Sequence, residues 1–163
     1  MKKSLIILII LLPFYGFSQI NETFSDGNFT QNPVWTGTAE NFRVNTQFQL
    51  QSQAATTSKS YLSTPSEAFE DAVWEFWVKI AYTTSSSNYA SVYLTSDRAD
   101  VSGDCYGYYV QIGNTNDEIS LYRQEGATKT KIIDGTDKLV DVNPVEVRVK
   151  VTRDKSGKFT LSR

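Results

Sequence analysis

The sequence predicts an all-β protein, a two-sheet antiparallel sandwich of the jelly-roll kind, cut short at its carboxy-terminal end. Three observations carry that expectation. In Ala72–Tyr82, AVWEFWVKIAY, residues Trp74, Phe76, Val78, Ile80 and Tyr82 fall on one side of an extended chain, and Val73, Glu75, Trp77, Lys79 and Ala81 on the other. Such period-two alternation marks a strand with one buried and one wet face. Val145, Val147, Val149 and Val151 alternate in the same way with Glu146, Arg148, Lys150 and Thr152. No segment sustains a 3.6-residue pattern, and about ten short apolar runs recur at intervals of roughly ten residues, as sandwich strands do.

Bulk composition narrows the class. At 163 residues, the chain is long enough for one domain and short for two. With 40% hydrophobic and 21% charged residues it has the make-up of a folded domain rather than a disordered one. There is no histidine, which excludes Ser-His-Asp and Cys-His nucleophile systems and His-ligated zinc.

Met1–Ser18 reads MKKSLIILIILLPFYGFS, with two lysines, an apolar run from Leu5 to Leu12, and small Gly16 and Ser18 ahead of Gln19. This is the layout of a secretory signal peptide, with a run too short to span about 30 Å of hydrocarbon. No cysteine follows for lipid attachment. The mature chain, from Gln19, is therefore expected to be secreted or displayed at the cell surface without membrane insertion. Without Lys2 and Lys3 the 16 basic residues become 14 against 18 acidic, a charge of −4. That balance offers no basic stripe for nucleic acid or for an anionic membrane surface. Export permits disulfides, but the lone Cys105 has no partner within the chain, so a core must supply the stability. With no cation beside it in sequence, Cys105 reads as a semi-buried loop thiol rather than a reactive one.

The remaining elements follow in order. Phe24, Phe29, Val34 and Trp35 are separated by the turn formers Ser25-Asp26-Gly27-Asn28 and Gln31-Asn32-Pro33. They predict a short edge strand, a tight loop, and Trp35 plugging one end of the core. Phe42, Val44, Phe48 and Leu50 predict two short strands joined through Asn45-Thr46-Gln47, and Tyr61-Leu62 another. After Ala72–Tyr82, Thr83–Asn88 is a flexible polar link, and Tyr89–Thr95 a strand with Ala90, Val92 and Leu94 on its core face. Ser96–Gly107 reads as a loop, Tyr108–Ile112 and Ile119–Gln124 as strands, and Lys129–Ile133 as another. Asp154-Lys155-Ser156-Gly157 is a hairpin turn, with Phe159 and Leu161 starting the return strand. The long links Thr83–Asn88 and Asp134–Asn143 suit strands that cross between sheets. Since a hairpin strand ends the chain at Arg163, the expectation is of an amino-terminal piece of a longer protein, residues 19–163 forming an incomplete domain.

FSDGNFTQNPVWTG, SNYASVYLTSD, GYYVQIGNTNDEISLYRQEG and VRVKVTRDKSGKFTLSR together cover most of the mature chain. Their order resembles that of exported concanavalin A-like (laminin G-like) jelly-roll domains, which stand at the amino terminus of multidomain proteins of Bacteroidetes-type bacteria. The resemblance implies two packed sheets, one often concave, and binding or adhesion more often than catalysis. It also implies downstream domains as partners and, in some relatives, calcium held in loops. The family pattern continues past KFTLSR, where this sequence ends.

Three kinds of chemistry can be tested on the residues. Glycoside hydrolysis needs two carboxyls about 5–5.5 Å or 6.5–9.5 Å apart. Jelly-roll glucanases place them as Glu-x-Asp-x-Glu on one strand. Here Glu75 stands alone on its strand, Asp117 and Glu118 are adjacent and point apart, and Glu146 lies among Arg148 and Lys150. No catalytic residue is assigned and no enzyme is expected. Asp97, Asp100 and Asp104 share one loop and are the candidate calcium ligands, off the EF-hand spacing. Finally, Trp77, Tyr89, Tyr93, Tyr109 and Tyr122 lie opposite the core sides of their strands, with Gln111, Arg123 and Gln124 nearby. Aromatic surfaces beside amides suit a carbohydrate groove, so polysaccharide or glycoprotein glycans are the expected partners, with Trp77, Tyr93, Tyr109, Gln111, Tyr122 and Arg123 as ligand residues. A structural or adhesive spacer without its own ligand is the other reading.

Overall fold

The computed structural model describes residues 20–56 and 59–163, so the expected signal peptide lies outside the described residues. Seven strands build the body of the molecule: β5 (Ala72–Ile80), β6 (Tyr89–Ser96), β7 (Cys105–Gly113), β8 (Glu118–Gly126), β9 (Thr128–Ile133), β10 (Val145–Arg153) and β11 (Phe159–Ser162). They form a three-stranded sheet in the order β11-β10-β5 and a four-stranded sheet in the order β6-β7-β8-β9, antiparallel throughout. The expected two-sheet antiparallel sandwich is what forms. The chain passes between sheets from β5 to β6 and from β9 to β10, at the two long links where crossings were expected.

The alternation explains the packing. Ile80 of β5 and Val145, Val149 and Val151 of β10 join Leu94 of β6, Val110 and Ile112 of β7, and Ile119 and Leu121 of β8 in one buried core. Trp74, Phe76, Val78, Ala90 and Val92 pack against it, as their positions on the same strand faces require. Burying each such aliphatic side chain contributes about 1.5–3 kcal/mol, which is how a chain without disulfides holds two sheets together. At one end, Phe159 closes the gap, its ring 4.7 Å from Tyr108 and 6.5 Å from Trp74.

The amino-terminal part adds two small ribbons. β2 (Phe42–Val44) pairs with β3 (Leu50–Ser52), and β1 (Thr36–Gly37) with β4 (Leu62–Ser63). The carbonyl of the Asn45 side chain accepts from the backbone N–H groups of Gln47 and Gln49, which fixes the β2–β3 turn.

The structure departs from the sequence pattern at several places. Residues 20–30 form turns rather than an edge strand, Phe24 taking a left-handed backbone (φ 55°) where its carbonyl accepts from Gly27. Trp35 packs on Phe24, 6.3 Å between rings, and is not part of the core cluster. Phe48 likewise has φ 58° and is exposed, so it is a turn residue and not part of the strand, which begins at Leu50. The Thr83–Asn88 link is pinned rather than loose. Ser85 and Asn88 exchange backbone hydrogen bonds, and the buried Thr84 donates its hydroxyl to Asp117. Finally, β7 begins earlier than expected, so Cys105 is a fully buried strand residue and not a loop thiol.

Candidate functional site

Core burial uses one face of the four-stranded sheet, and period-two geometry sends the alternate residues to the other. Register then decides which of them meet. Tyr93 of β6 stands opposite Tyr109 of β7, Tyr109 opposite Tyr122 of β8, and Tyr122 opposite Lys131 of β9. The result is a file of three tyrosines running straight across the sheet. Tyr93 and Tyr109 stack at 4.9 Å and 27°, Tyr109 and Tyr122 at 5.2 Å and 11°, with the Lys129 ammonium 5.6 Å over Tyr109. Offset stacks of this kind are worth about 0.5–1.5 kcal/mol per pair beyond the burial itself.

Two bulges fix the file. One between Tyr93 and Thr95 follows the close approach of the Thr95 carbonyl to Gly107, where a side-chain Cβ would collide with it. The other, with Ile132 as the extra residue, brings Lys131 level with Tyr122.

Neighbouring rows carry polar groups. Ser91, Gln111 and Ser120 stand level with one another, but only Ser91 is exposed: Gln111 is buried, and the buried Ser120 hydroxyl accepts the Gly135 N–H. Gln124 is buried and fully used: its side-chain oxygen accepts the Tyr93 hydroxyl at 2.5 Å, and its amide donates to the carbonyls of Gly103 and Gly126. Glu118, 1% exposed, receives the Lys131 ammonium at 2.5 Å, and the same ammonium reaches Asp134 at 2.6 Å. Those two hydrogen bonds raise the Lys131 pKa and hold the Asp134 carboxyl below the usual carboxylate range.

The candidate ligand residues therefore divide. Tyr93, Tyr109, Gln111 and Tyr122 are brought together. Trp77 is not, because β5 belongs to the other sheet, where it is 40% exposed on the outer side. Arg123 follows the core-side alternation of β8 beside Tyr108 and pairs with Glu125 at 2.9 Å, so it also lies off the file. Tyr109 itself is only 2% exposed, with a tyrosine on each face. Tyr93 and Tyr122, at the ends of the file, are half-buried and keep more exposed surface than Tyr109.

The calcium candidates do not converge. Asp97 accepts the Tyr106 backbone N–H, while Asp100 accepts the Ser102 N–H and hydroxyl, which hold its carboxyl below its ordinary pKa. Among the described residues no three carboxylates or thiols stand close enough to share a metal ion. Sequence reading missed the Glu118–Lys131–Asp134 cluster. Only Lys131 and Asp134 are close in sequence, and the bulge at Ile132 that aims Lys131 has no sequence mark.

Burial pushes the phenols of Tyr93, Tyr109 and Tyr122 above the ordinary tyrosine range, and Cys105 adds to the rise at Tyr93. A raised folded pKa means the stabilisation is whole below the unfolded value of about 10 and is lost as pH climbs past it. Spectrophotometric titration should show these three tyrosines ionising after the exposed ones, together with unfolding. Ordinary titration of every tyrosine in the folded state would contradict the burial.

Searches against family models, curated proteins and solved structures find no match to this chain.

Proposed function

We propose that this is a non-catalytic, exported recognition module whose four-stranded sheet binds carbohydrate across the face turned away from the core. The observation that carries the reading is the register of Tyr93, Tyr109 and Tyr122, with the exposed Ser91 in the next row. A sugar presents apolar C–H faces and hydroxyls side by side, and rings next to a hydroxyl complement both. Within the file, Tyr109 is the rigid centre. Tyr93 and Tyr122 supply the ring faces, and the exposed Ser91 supplies the polar contact. The buried carboxylate of Glu118 is held by Lys131, which suits a structural rather than an acid–base role.

The test is a glycan array followed by titration calorimetry on the best oligosaccharide. Tyr122→Ala and Tyr93→Ala should each weaken binding by about tenfold, the effect of losing roughly 1.4 kcal/mol of stacking. Trp77→Ala, on the other sheet, should leave it unchanged. Binding that ignores both tyrosine variants defeats the site assignment. An array without signal supports a second reading, a structural or adhesive spacer, which the occupation of both faces of Tyr109 favours.

A further inference from the structure

The three-stranded sheet ends on β5, which pairs with β10 along one edge and with no other strand among the described residues. It is nine residues long, regular, and free of proline and glycine. Proteins usually blunt such an edge with a short strand, a bulge, a proline, edge lysines or an inward-pointing charge. Here the only edge lysine, Lys79, is balanced by Glu75: the two flank Trp77 symmetrically, each about half exposed. Trp77 and Val73 are exposed beside them, and on the core side Trp74, Phe76 and Val78 remain only half-buried.

We propose that the free edge of β5 pairs antiparallel with β5 of a second copy of this chain, on a two-fold axis through Trp77. The sequence is self-complementary in that register. Glu75 meets Lys79 of the second copy and Lys79 meets its Glu75, with Trp77 against Trp77 between them. On the core side Trp74 meets Ile80 and Phe76 meets Val78, so every directly opposed pair is either apolar or oppositely charged. Slipping by two residues removes both ion pairs, and slipping by four sets Glu75 on Glu75 or Lys79 on Lys79. Charge complementarity thus selects one register as well as one occupant. Glu75 already meets Lys150 at 2.7 Å and Lys79 meets Glu146 at 2.5 Å within the chain, so each charge would be shared between its own sheet and the second copy. The symmetry is isologous, and the two three-stranded sheets become one continuous six-stranded sheet.

Sedimentation equilibrium of the purified protein should show a concentration-dependent dimer. Glu75→Lys alone and Lys79→Glu alone should each weaken self-association by about tenfold or more, because two attractive cross-strand pairs become repulsive. An equimolar mixture of the two variants should recover a heterodimer. One copy then carries a lysine at both positions and the other a glutamate at both, so each cross-strand pair is again attractive. That recovery also demonstrates that both variants fold, and Trp77→Lys gives an independent loss of dimer. A protein that stays monomeric at all concentrations overturns the proposal. So does a dimer indifferent to the charge reversals, or a mixture that remains monomeric.

Discussion

Replacing Lys131 by methionine will lower the unfolding free energy by about 3 kcal/mol, read from the midpoint of a urea transition at constant slope. The reason is asymmetric burial. The Glu118 side chain is 2% exposed and Lys131 28% exposed, so the carboxylate depends on the ammonium far more than the ammonium on it. Methionine keeps the length of the stem and removes the charge, leaving Glu118 buried without a cation. Its second oxygen already lacks a hydrogen-bond partner. Adding Glu118→Gln to Lys131→Met should return most of the loss, because a neutral amide needs no counter-ion. If the double variant is as unstable as the single one, the cost lies in packing and the ion-pair account fails. The pH window follows from the shifts. Asp134 is held low by Lys131, so its contribution is present above about pH 4 and is lost as pH falls through the lower folded value. Lys131 is held high by Asp134 and Glu118, so its contribution is present below about pH 10 and is lost as pH rises.

Tyr109→Ala will cost about 3–5 kcal/mol, as truncating a buried aromatic does. Reading the alternation alone, Tyr109 is a surface ligand residue that alanine should strip of binding while leaving the domain folded. In the structure it is covered on both faces by Tyr93 and Tyr122, so its removal opens a cavity between two rings and forfeits both stacks. Thermal unfolding should fall well below that of Tyr122→Ala, which removes one stack at the end of the file. Equal melting temperatures for the two variants would mean that the rings do not support one another. The comparison also separates loss of binding from loss of fold: the Tyr122 variant tests recognition, while the Tyr109 variant tests architecture.

What was legible in the sequence was local. Period-two alternation marked β5, β6, β8 and β10 and their core faces, because face alternation is a property of a few adjacent residues. The crossings at Thr83–Asn88 and Asp134–Asn143 were legible from length alone. What alternation does not carry is the sheet to which a strand belongs. Trp77 and Tyr93 both lie opposite their core sides, yet stand on different sheets. Aromatic residues in turn-rich stretches misled for a different reason. Phe24 and Phe48 occupy left-handed turn positions more often taken by glycine or asparagine, so their apolar character gave the wrong environment. Cys105 misled because Gly107, two residues on, breaks the apolar run that would mark β7, although it is there to admit the Thr95 carbonyl. The size of Trp35 suits a peripheral contact with Phe24 as well as it suits a core.

The tyrosine file has an optical consequence. Three phenol rings held about 5 Å apart in fixed orientation are coupled chromophores, and their near-ultraviolet circular dichroism depends on the angles between them. That band belongs to the far face of one sheet and disappears when fixed side-chain packing is lost, even where strand content survives. A ligand settling on Tyr93 or Tyr122 would perturb it without any label. The molecule therefore carries its own spectroscopic probe at the place where recognition is proposed.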